Sequence, residues 1–340
     1  MGVLIIYTGG TIGMKTNPES GALAPFNFSE IEKEVPELRK FGVSISTYTF
    51  SPTIDSSNVL PEHWGALARI IKENYDLYDG FVVLHGTDTM SYTASALSFM
   101  LQNLDKAVVF TGSQIPIGVL RTDGKENLIT AVEIASSLVG GKSVVPEVTI
   151  FFHNQLFRAN RTTKHSAEYL NAFCSHNYPV LASAGIDINY NHNYIRKVDS
   201  FLPSFDIQQN MCSDVTILRI FPGITQKVVN SILSAEGIKG VILESYGSGN
   251  APQHEWFFEE LSEAIDRGVV IVNITQCSEG RVNMELYDTG KRLGKIGVIS
   301  GEDLTVESAL TKLMFLLAQE LPHKVLLERL VEPLRGEMSC

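Results

Sequence analysis

Two short apolar runs early in the chain each end in a loop that contains glycine and threonine. Residues 3–7 read VLIIY, and residues 81–84 read FVVL. Runs of this length, rich in branched side chains, are typical of strands buried on both faces of a sheet. The first run leads into residues 8–13 (TGGTIG), and the second leads into residues 85–89 (HGTDT). Because open α/β sheets bind ligands at the carboxyl ends of their strands, the pattern predicts that these loops form one site.

The rest of the chain alternates between strand-like and helix-like periodicity. Strands are predicted at residues 43–50, 107–110, 147–152, 215–220, 240–243 and 269–274, and amphipathic helices at residues 61–74, 93–103, 126–139, 228–234, 257–267 and 306–320. This alternation predicts an α/β fold with two domains, a larger N-terminal mostly parallel sheet flanked by helices and a smaller C-terminal α/β domain. A turn-rich, weakly periodic stretch places a linker at 186–210, between domains at 1–185 and 211–340.

Composition narrows the classes of function. The chain has 340 residues, 44% of them hydrophobic, which is enough for two ordinary domains with real cores. A net charge of -11 argues against nucleic acid as a partner. No apolar stretch reaches membrane-spanning length, and the first apolar run is too short for a signal peptide, so we expect a cytoplasmic protein without a membrane partner. The four cysteines form no C-x-x-C pair, which favours free thiols over disulfides or metal ligands.

Three polar segments allow more than one interpretation. Residues 15–28 predict a long loop, either a plain surface connection or a lid over the site. Residues 55–58 (DSSN) fit helix capping, but their place between a strand end and a helix start favours ligand binding. Residues 158–165 (RANRTTKH) contain Lys164, and a lysine in such a run is usually a solvated surface charge.

The first loop resembles a nucleotide-binding loop but has neither required spacing. It lacks the glycine pattern of the dinucleotide fingerprint and the Gly-Lys-Ser/Thr of the phosphate loop. Nucleophilic hydrolysis explains more of the residues in the two loops than nucleotide binding does. A threonine hydroxyl becomes a nucleophile when a base takes its proton. A neutral lysine can be that base, and a carboxylate can orient it. Thr87, Lys164 and Asp88 therefore make a sensible relay, with Thr11 as a second hydroxyl facing the same substrate. Each residue alone is more often structural, and their joint occurrence at strand ends favours the relay.

Seven segments in order along the chain are specific enough to name a family. They are YTGGTIGM (7–14), DSSN (55–58), HGTDTM (85–90), TGSQIP (111–116), NRTTK (160–164), SYGSGNAP (245–252) and NITQC (273–277). On these segments the chain resembles the L-asparaginases of the bacterial and cytoplasmic type I-like group. The resemblance implies two α/β domains and a site between the subunits of a close dimer, usually paired into a tetramer.

The resemblance also implies a reaction, hydrolysis of L-asparagine to L-aspartate and ammonia without metal or cofactor. Thr11 matches the preferred nucleophile, which forms an acyl-enzyme that water resolves. Thr87, Asp88 and Lys164 match the second catalytic triad. The α-carboxylate and α-amino groups of the substrate are expected around Asp55, Ser56, Ser57 and Asp88. The full set of substrate-binding residues that it implies is Gly10, Asp55, Ser56, Ser57, Gly86, Thr87, Asp88 and Ser113.

The sequence departs from the family pattern at two places. Many members carry a tyrosine on the loop after the first motif, where this chain reads GALAP (21–25), and Tyr287 is a candidate substitute. Some type I members bind an effector asparagine through an arginine just before Ser-Tyr-Gly, where this chain has Glu244. An acidic residue cannot pair with an α-carboxylate, so the sequence argues against an effector site of that type, although Thr163 and Cys277 match other parts of it.

The sequence allows two alternatives to an asparaginase. One is the amidase subunit of a tRNA-dependent amidotransferase, which normally carries an extra N-terminal domain, whereas this chain begins at its first strand. The other is a sensor that binds an amino-acid amide without turnover. The presence of all four residues Thr11, Thr87, Asp88 and Lys164 argues against the sensor.

Overall fold

The protein is described from a computed structural model, which defines residues 2–16, 23–25, 31, 35–198 and 203–339. It contains two compact units, Met1–Gln209 and Asn210–Cys340. Most of the predicted loop 15–28 lies outside the described residues, and with it the lid interpretation and the first two residues of the GALAP segment (21–25). At its two ends β2 (Met14–Thr16) and β3 (Leu23–Pro25) pair antiparallel.

The first unit is built on one eight-stranded sheet. Its strands are β1 (Gly2–Tyr7), β4 (Ser44–Thr49), β5 (Gly80–Leu84), β7 (Ala107–Thr111), β10 (Val148–Phe152), β11 (Gln155–Arg158), β14 (Ala182–Ala184) and β15 (Ile188–Tyr190). Its helices are α1 (Pro61–Asn74), α2 (Met90–Met100) and α3 (Gly124–Ser136), and its short strands are β6 (Leu101–Gln102), β8 (Leu138–Val139), β9 (Lys142–Ser143), β12 (Thr163–Lys164), β13 (Phe173–Cys174) and β16 (Asp206–Ile207).

Five of the eight strands are parallel, and their order creates a crevice. The sheet runs β15-β14-β11-β10-β7-β5-β1-β4, with β4, β1, β5, β7 and β10 parallel to one another. The chain leaves β1 toward β4 on one side and returns to β5 on the other, which is the order of flavodoxin-like folds. The connections after β1 and β5 therefore diverge, and the crevice between them is where such sheets bind ligands.

The far edge of the sheet is antiparallel and was not predicted. Strands β10 and β11 form a hairpin whose two-residue turn, His153 and Asn154, has positive φ values of 46° and 67°. Two positive φ values in a two-residue loop are the mark of a hairpin turn that matches strand twist. Strands β14 and β15 extend this edge, and β16 pairs with β6. The segment expected to be a linker, residues 186–210, thus contributes two strands to the first unit.

The second unit has a four-stranded parallel sheet in the order β17 (Val215–Arg219), β18 (Gly240–Ser245), β19 (Val270–Thr275) and β20 (Ile299–Ser300). Its helices are α4 (Gln226–Leu233), α5 (Glu255–Asp266), α6 (Asp288–Lys295), α7 (Val306–Leu317) and α8 (His323–Val331). Each unit has a core of buried aliphatic and aromatic side chains against its sheet. The predicted fold class is confirmed.

Candidate functional site

Four loops meet at the carboxyl ends of adjacent parallel strands in the first unit. They are residues 8–13 after β1, 50–58 after β4, 85–89 after β5 and 112–114 after β7. These strands are neighbours in the order β7-β5-β1-β4, so their loops lie side by side. The candidate catalytic and substrate-binding residues of the first unit, apart from Lys164, all lie on these loops.

The loops after β1 and β5 touch through glycines. Gly10 has φ of +91°, and a Cβ atom there would lie 2.6 Å from Gly86 Cα and N. A Cβ atom on Gly86 would lie 2.4 Å from Ser56 Oγ on the loop after β4. Any side chain at either position would clash, so three loops pack at van der Waals distance only because these residues are glycine.

Thr11 opens a short 3-10 helix, Thr11–Gly13, and is half-buried. The loop below it is supported by Tyr7, whose hydroxyl donates a hydrogen bond to Gly10 O at 3.3 Å. Burial raises the pKa of Tyr7 to about 12, so this phenol stays neutral and remains a donor. The contact of Gly10 with Gly86 places the Thr11 loop beside the Thr87 loop.

Lys164 links two residues of the second loop. Its Nζ donates hydrogen bonds to Thr87 Oγ1 at 2.9 Å and to Asp88 Oδ1 at 2.7 Å. The lysine side chain is 18% exposed, while the Asp88 side chain is 67% exposed. Lys164 is thus not the solvated surface charge that is usual for a lysine in a polar run, and the structure joins the three residues of the predicted relay.

A buried framework holds the segment that carries Lys164. The Arg158 guanidinium pairs with Glu147 at 2.6 Å (Nε to Oε2), and both side chains are under 10% exposed. Thr162 Oγ1 donates to Arg158 O at 2.7 Å, and Lys164 pairs with Phe173 across β12 and β13. An ion pair and a side-chain hydrogen bond therefore hold the basic run against the protein interior. The polar composition of the run does not reveal this burial.

Gln114 is a site residue that the sequence reasoning missed. Thr87 Oγ1 donates to Gln114 Oε1 at 3.2 Å, so the Thr87 hydroxyl accepts from Lys164 and donates to Gln114. The Asp123 carboxylate accepts from the backbone N–H groups of Gln114 and Ile115, both at 3.0 Å at the closest. The segment TGSQIP was recognised, but nothing in it tells which side chain turns toward Thr87.

The DSSN segment combines capping with exposure to the site. Asp55 caps the 3-10 helix Ser56–Asn58 by accepting from the Ser57 N–H at 3.1 Å. Thr89 Oγ1 donates to Ser56 O at 2.7 Å, which ties this segment to the second loop. Asp55 and Ser57 are exposed, whereas Ser56 is buried. The structure thus shows the capping hydrogen bond, and ligand binding by these groups stays a prediction.

Ser113 and His85 are buried beside the same loops. Ser113 is 3% exposed, and its hydroxyl has no hydrogen-bond partner among the described residues. A buried hydroxyl without a partner is costly, so Ser113 Oγ is available to a ligand. His85 is 2% exposed, and burial lowers its pKa to about 4.

The two residues that mark departures from the family pattern, Tyr287 and Glu244, lie in the second unit. Tyr287 precedes α6 and is 49% exposed. Glu244 is buried at the end of β18, where its carboxylate accepts from Arg219 Nη1 at 3.4 Å. Burial raises the pKa of Glu244, and the Arg219 charge opposes this rise. Glu244 is therefore already engaged with a cation of its own unit.

Within the described residues, no group of three or more His, Cys, Asp or Glu side chains has an arrangement that could hold a metal ion. Over the same residues, no helix is long and apolar enough to cross a membrane.

Comparison with known proteins identifies relatives over the whole chain. L-asparaginase 1 of Escherichia coli K12 is 45% identical over 99% of this chain and 98% of its own length. The human 60 kDa lysophospholipase is 43% identical over 99% of this chain, which spans 61% of that longer protein. The crystal structure of L-asparaginase I from Vibrio cholerae superposes with a TM-score of 0.88 at 40% identity and covers 99% of both chains.

The fold and the site together define a two-unit α/β protein in which hydroxyl-lined loops lie where the connections after β1 and β5 diverge. The family model described as "Asparaginase, N-terminal" matches residues 2–196, and "Glutaminase/Asparaginase C-terminal domain" matches residues 214–328. The chain belongs to the asparaginase family, as its motifs indicated.

Proposed function

We propose that the protein is an L-asparaginase that hydrolyses L-asparagine to L-aspartate and ammonia. The observation that carries this proposal is the position of Lys164 Nζ between Thr87 Oγ1 and Asp88 Oδ1. An amine held against a hydroxyl and a carboxylate is the arrangement that acyl transfer needs to move protons. The family membership and the 45% identity to an L-asparaginase support the same reaction.

In the first step, Thr11 Oγ attacks the carboxamide carbon of the substrate. Its proton passes to the leaving nitrogen, the C–N bond breaks, and ammonia departs. The β-aspartyl ester of Thr11 is the covalent intermediate. The half-burial of Thr11 and the contact of Gly10 with Gly86 support this role, because they bring its loop against the second loop.

In the second step, a water molecule resolves the ester and releases L-aspartate. Thr87, Lys164 and Asp88 activate this water or the nucleophile itself. Lys164 must be a neutral amine to take a proton, and the Asp88 carboxylate is in place to hold the ammonium that results. Gln114 accepts the Thr87 hydroxyl proton in its hydrogen bond and so fixes which way that hydroxyl points.

Substrate binding is assigned to the loop groups around these residues. Asp55, Ser57 and Asp88 are exposed polar groups that suit the α-amino and α-carboxylate groups of an amino acid. Ser113 Oγ, buried and without a partner among the described residues, suits the side-chain amide. Backbone groups of Gly10 and Gly86 complete the set, since the absence of a side chain allows close approach of a ligand.

Ammonia release by the purified full chain tests the proposal. L-Asparagine is the expected substrate, with L-glutamine and a lysophospholipid as parallel substrates. Thr11→Ala and Thr87→Val are expected to lose on the order of 10³-fold in turnover. Thr225→Val, on a threonine of the second unit whose side chain makes no capping bond, is the matched control.

Each outcome of this assay assigns a class. Turnover of L-asparagine that the two site variants abolish supports the proposal. Binding of L-asparagine without ammonia release would make the protein a sensor. Turnover of neither amide, with release of fatty acid from the lysophospholipid, would assign a reaction like that named for the human relative.

We also propose a close dimer, paired into a tetramer, in the cytoplasm. The family membership supports this assembly, because the resemblance implies a site between the subunits of a close dimer. Sedimentation equilibrium tests the assembly, with a mass near 37.5 kDa as the result that would contradict it.

A further inference from the structure

His85 is a fully buried side chain beneath the site that neither the relay nor the substrate-binding set uses. Its backbone N–H donates to Thr111 O at 3.0 Å, which fixes it to the neighbouring strand. Its ring packs against Phe110 with 6.2 Å between ring centroids. The residue is thus held from two sides, immediately before the glycine that contacts the first loop.

Among the described residues, the imidazole has a polar contact with Gly86, and this contact determines which ring nitrogen carries the proton. His85 Nδ1 lies 2.7 Å from Gly86 O, and a carbonyl oxygen only accepts, so Nδ1 carries a proton and donates. Burial lowers the pKa of His85 to about 4, so the ring is neutral near pH 7. A neutral imidazole has one N–H, which leaves Nε2 unprotonated.

This hydrogen bond sets the orientation of one peptide unit. The C=O and N–H groups of a trans peptide point in opposite directions. With Gly86 O turned toward His85, the Thr87 N–H is turned away from His85. No described residue accepts a hydrogen bond from this N–H. The N–H belongs to the residue whose hydroxyl contacts Lys164, so it lies within the candidate site.

We propose that His85 is a positioning residue whose Nδ1–H holds the Gly86–Thr87 peptide so that the Thr87 N–H donates to the substrate carbonyl oxygen as it gains negative charge. The inference rests on the proposed function, since it names a group that serves that reaction. Fixed backbone donors aimed at a developing oxyanion stabilise the transition state more than the ground state. His85 acts through the peptide and touches no reacting atom.

Packing supports a fixed peptide at this position. A Cβ atom on Gly10 would lie 2.6 Å from Gly86 N and Cα and 3.1 Å from the His85 carbonyl carbon, so the first loop packs against the His85–Gly86 peptide and against the Gly86 Cα at which the Gly86–Thr87 peptide begins. A rotation of the Gly86–Thr87 peptide would break the His85 hydrogen bond and leave a buried imidazole N–H unpaired, which is costly. The hydrogen bond therefore holds the Gly86–Thr87 peptide in one of its two possible orientations.

The first test is spectroscopic and needs no turnover. Nitrogen-15 chemical shifts of ring-labelled histidine, assigned by comparison with His85→Asn, report which ring nitrogen of His85 carries the proton. The expected result is an Nδ1–H tautomer that does not titrate between pH 5 and pH 9. An Nε2–H tautomer, or titration in that range, overturns the proposal.

The second test compares three variants by kcat, KM and melting temperature. Asparagine keeps a side-chain N–H close to the place of Nδ1, glutamine buries the same amide one methylene farther out, and leucine has no donor. We expect His85→Leu and His85→Gln to lose about 10²-fold in kcat with KM within about threefold, and His85→Asn to recover most of it. Losses that follow melting temperature alone, or equal losses in the Asn and Gln variants, overturn the proposal.

Failure of the proposed function and failure of the His85 role give different results. A wild-type protein that hydrolyses no amide overturns the proposed function and this role with it. Wild-type turnover together with an Nε2–H tautomer overturns the role of His85 alone. Should all three variants fail to fold, the wild-type spectrum still decides, because the absence of any histidine signal that shows Nδ1–H and does not titrate between pH 5 and pH 9 overturns the role of His85.

Discussion

The amine of Lys164 lies 2.9 Å from the hydroxyl of Thr87, although 77 residues separate them in the chain. The contact joins the loop after β5 to the short strand β12. It also places an amine, on a side chain that is 18% exposed, against a hydroxyl that has a second partner in Gln114. This relationship determines which substitutions should affect chemistry and which should affect stability.

Lys164→Met should separate activity from stability. The Asp88 end of the ion pair is 67% exposed, and pairs of that kind contribute about 0–1 kcal/mol to folding. We expect turnover of L-asparagine to fall on the order of 10³-fold, because the proton-transfer group is lost. The melting temperature should change little. Lys142→Met, at an exposed lysine of β9, is the control, and a Lys164→Met variant with wild-type turnover would contradict the relay.

Gln114→Met should have a smaller effect on kcat. It removes the acceptor for the Thr87 hydroxyl while keeping a side chain of similar length. A neutral hydrogen bond contributes about 0.5–1.5 kcal/mol, so we expect a loss of roughly threefold to tenfold in kcat. Steady-state kinetics of the two proteins measure this loss. A change confined to KM would place Gln114 in substrate binding.

Arg158→Met should destabilise the first unit strongly. Breaking a buried ion pair leaves the buried Glu147 carboxylate without its ion-pair partner and with the Arg196 N–H as a remaining donor at 2.7 Å, which costs about 3–5 kcal/mol. Urea unfolding followed by circular dichroism measures the loss. Lys72→Met breaks the exposed pair of Lys72 with Asp206 and should cost under about 1 kcal/mol. Equal costs for the two variants would be inconsistent with the buried environment of Arg158.

The stability of the protein should fall as pH falls from about 6.5 to about 4, with His85 as one cause. In that range the unfolded chain binds a proton on His85 that the folded protein does not, because burial lowers the pKa from 6.5 to about 4. Stability therefore rises with pH across this window and is fully present above it. At about 1.4 kcal/mol per pKa unit, the contribution is about 3 kcal/mol.

His85→Asn removes this titrating group and so isolates its contribution. The difference in unfolding free energy between the variant and the wild-type protein should change by about 3 kcal/mol between pH 7 and pH 4. Urea titrations at several pH values measure it. A difference that is independent of pH would mean that His85 ionises equally in the folded and unfolded states.

Turnover should depend hyperbolically on L-asparagine concentration. Glu244 stands where an effector-binding arginine is expected, and its carboxylate is buried and contacts Arg219 at 3.4 Å. A carboxylate in this position repels the α-carboxylate of an effector. Initial rates over a wide concentration range test this expectation. A sigmoidal curve would reveal a second asparagine site that does not depend on an arginine at position 244.

The sequence by itself determined the fold class and most of the regular elements of the two sheets. Buried parallel strands and amphipathic helices carry periodic signals within one segment, so residues 61–74 were predicted with the bounds that helix α1 has. The loops after β1 and β5 were located in the same way, because glycine and hydroxyl residues follow uninterrupted apolar runs. The local pattern therefore located the loops at the strand ends, and the order of the motifs along the chain indicated the family.

Tertiary structure decided which side chains within those loops meet. The antiparallel edge β11, β14 and β15 and the inward fold of Arg158 depend on pairing between distant segments, which no local pattern encodes. The same holds for Gln114 on Thr87 and for His85 on the Gly86 carbonyl. A hydrogen bond is fixed by distances of about 3 Å and by burial, and these quantities exist only once the chain has folded.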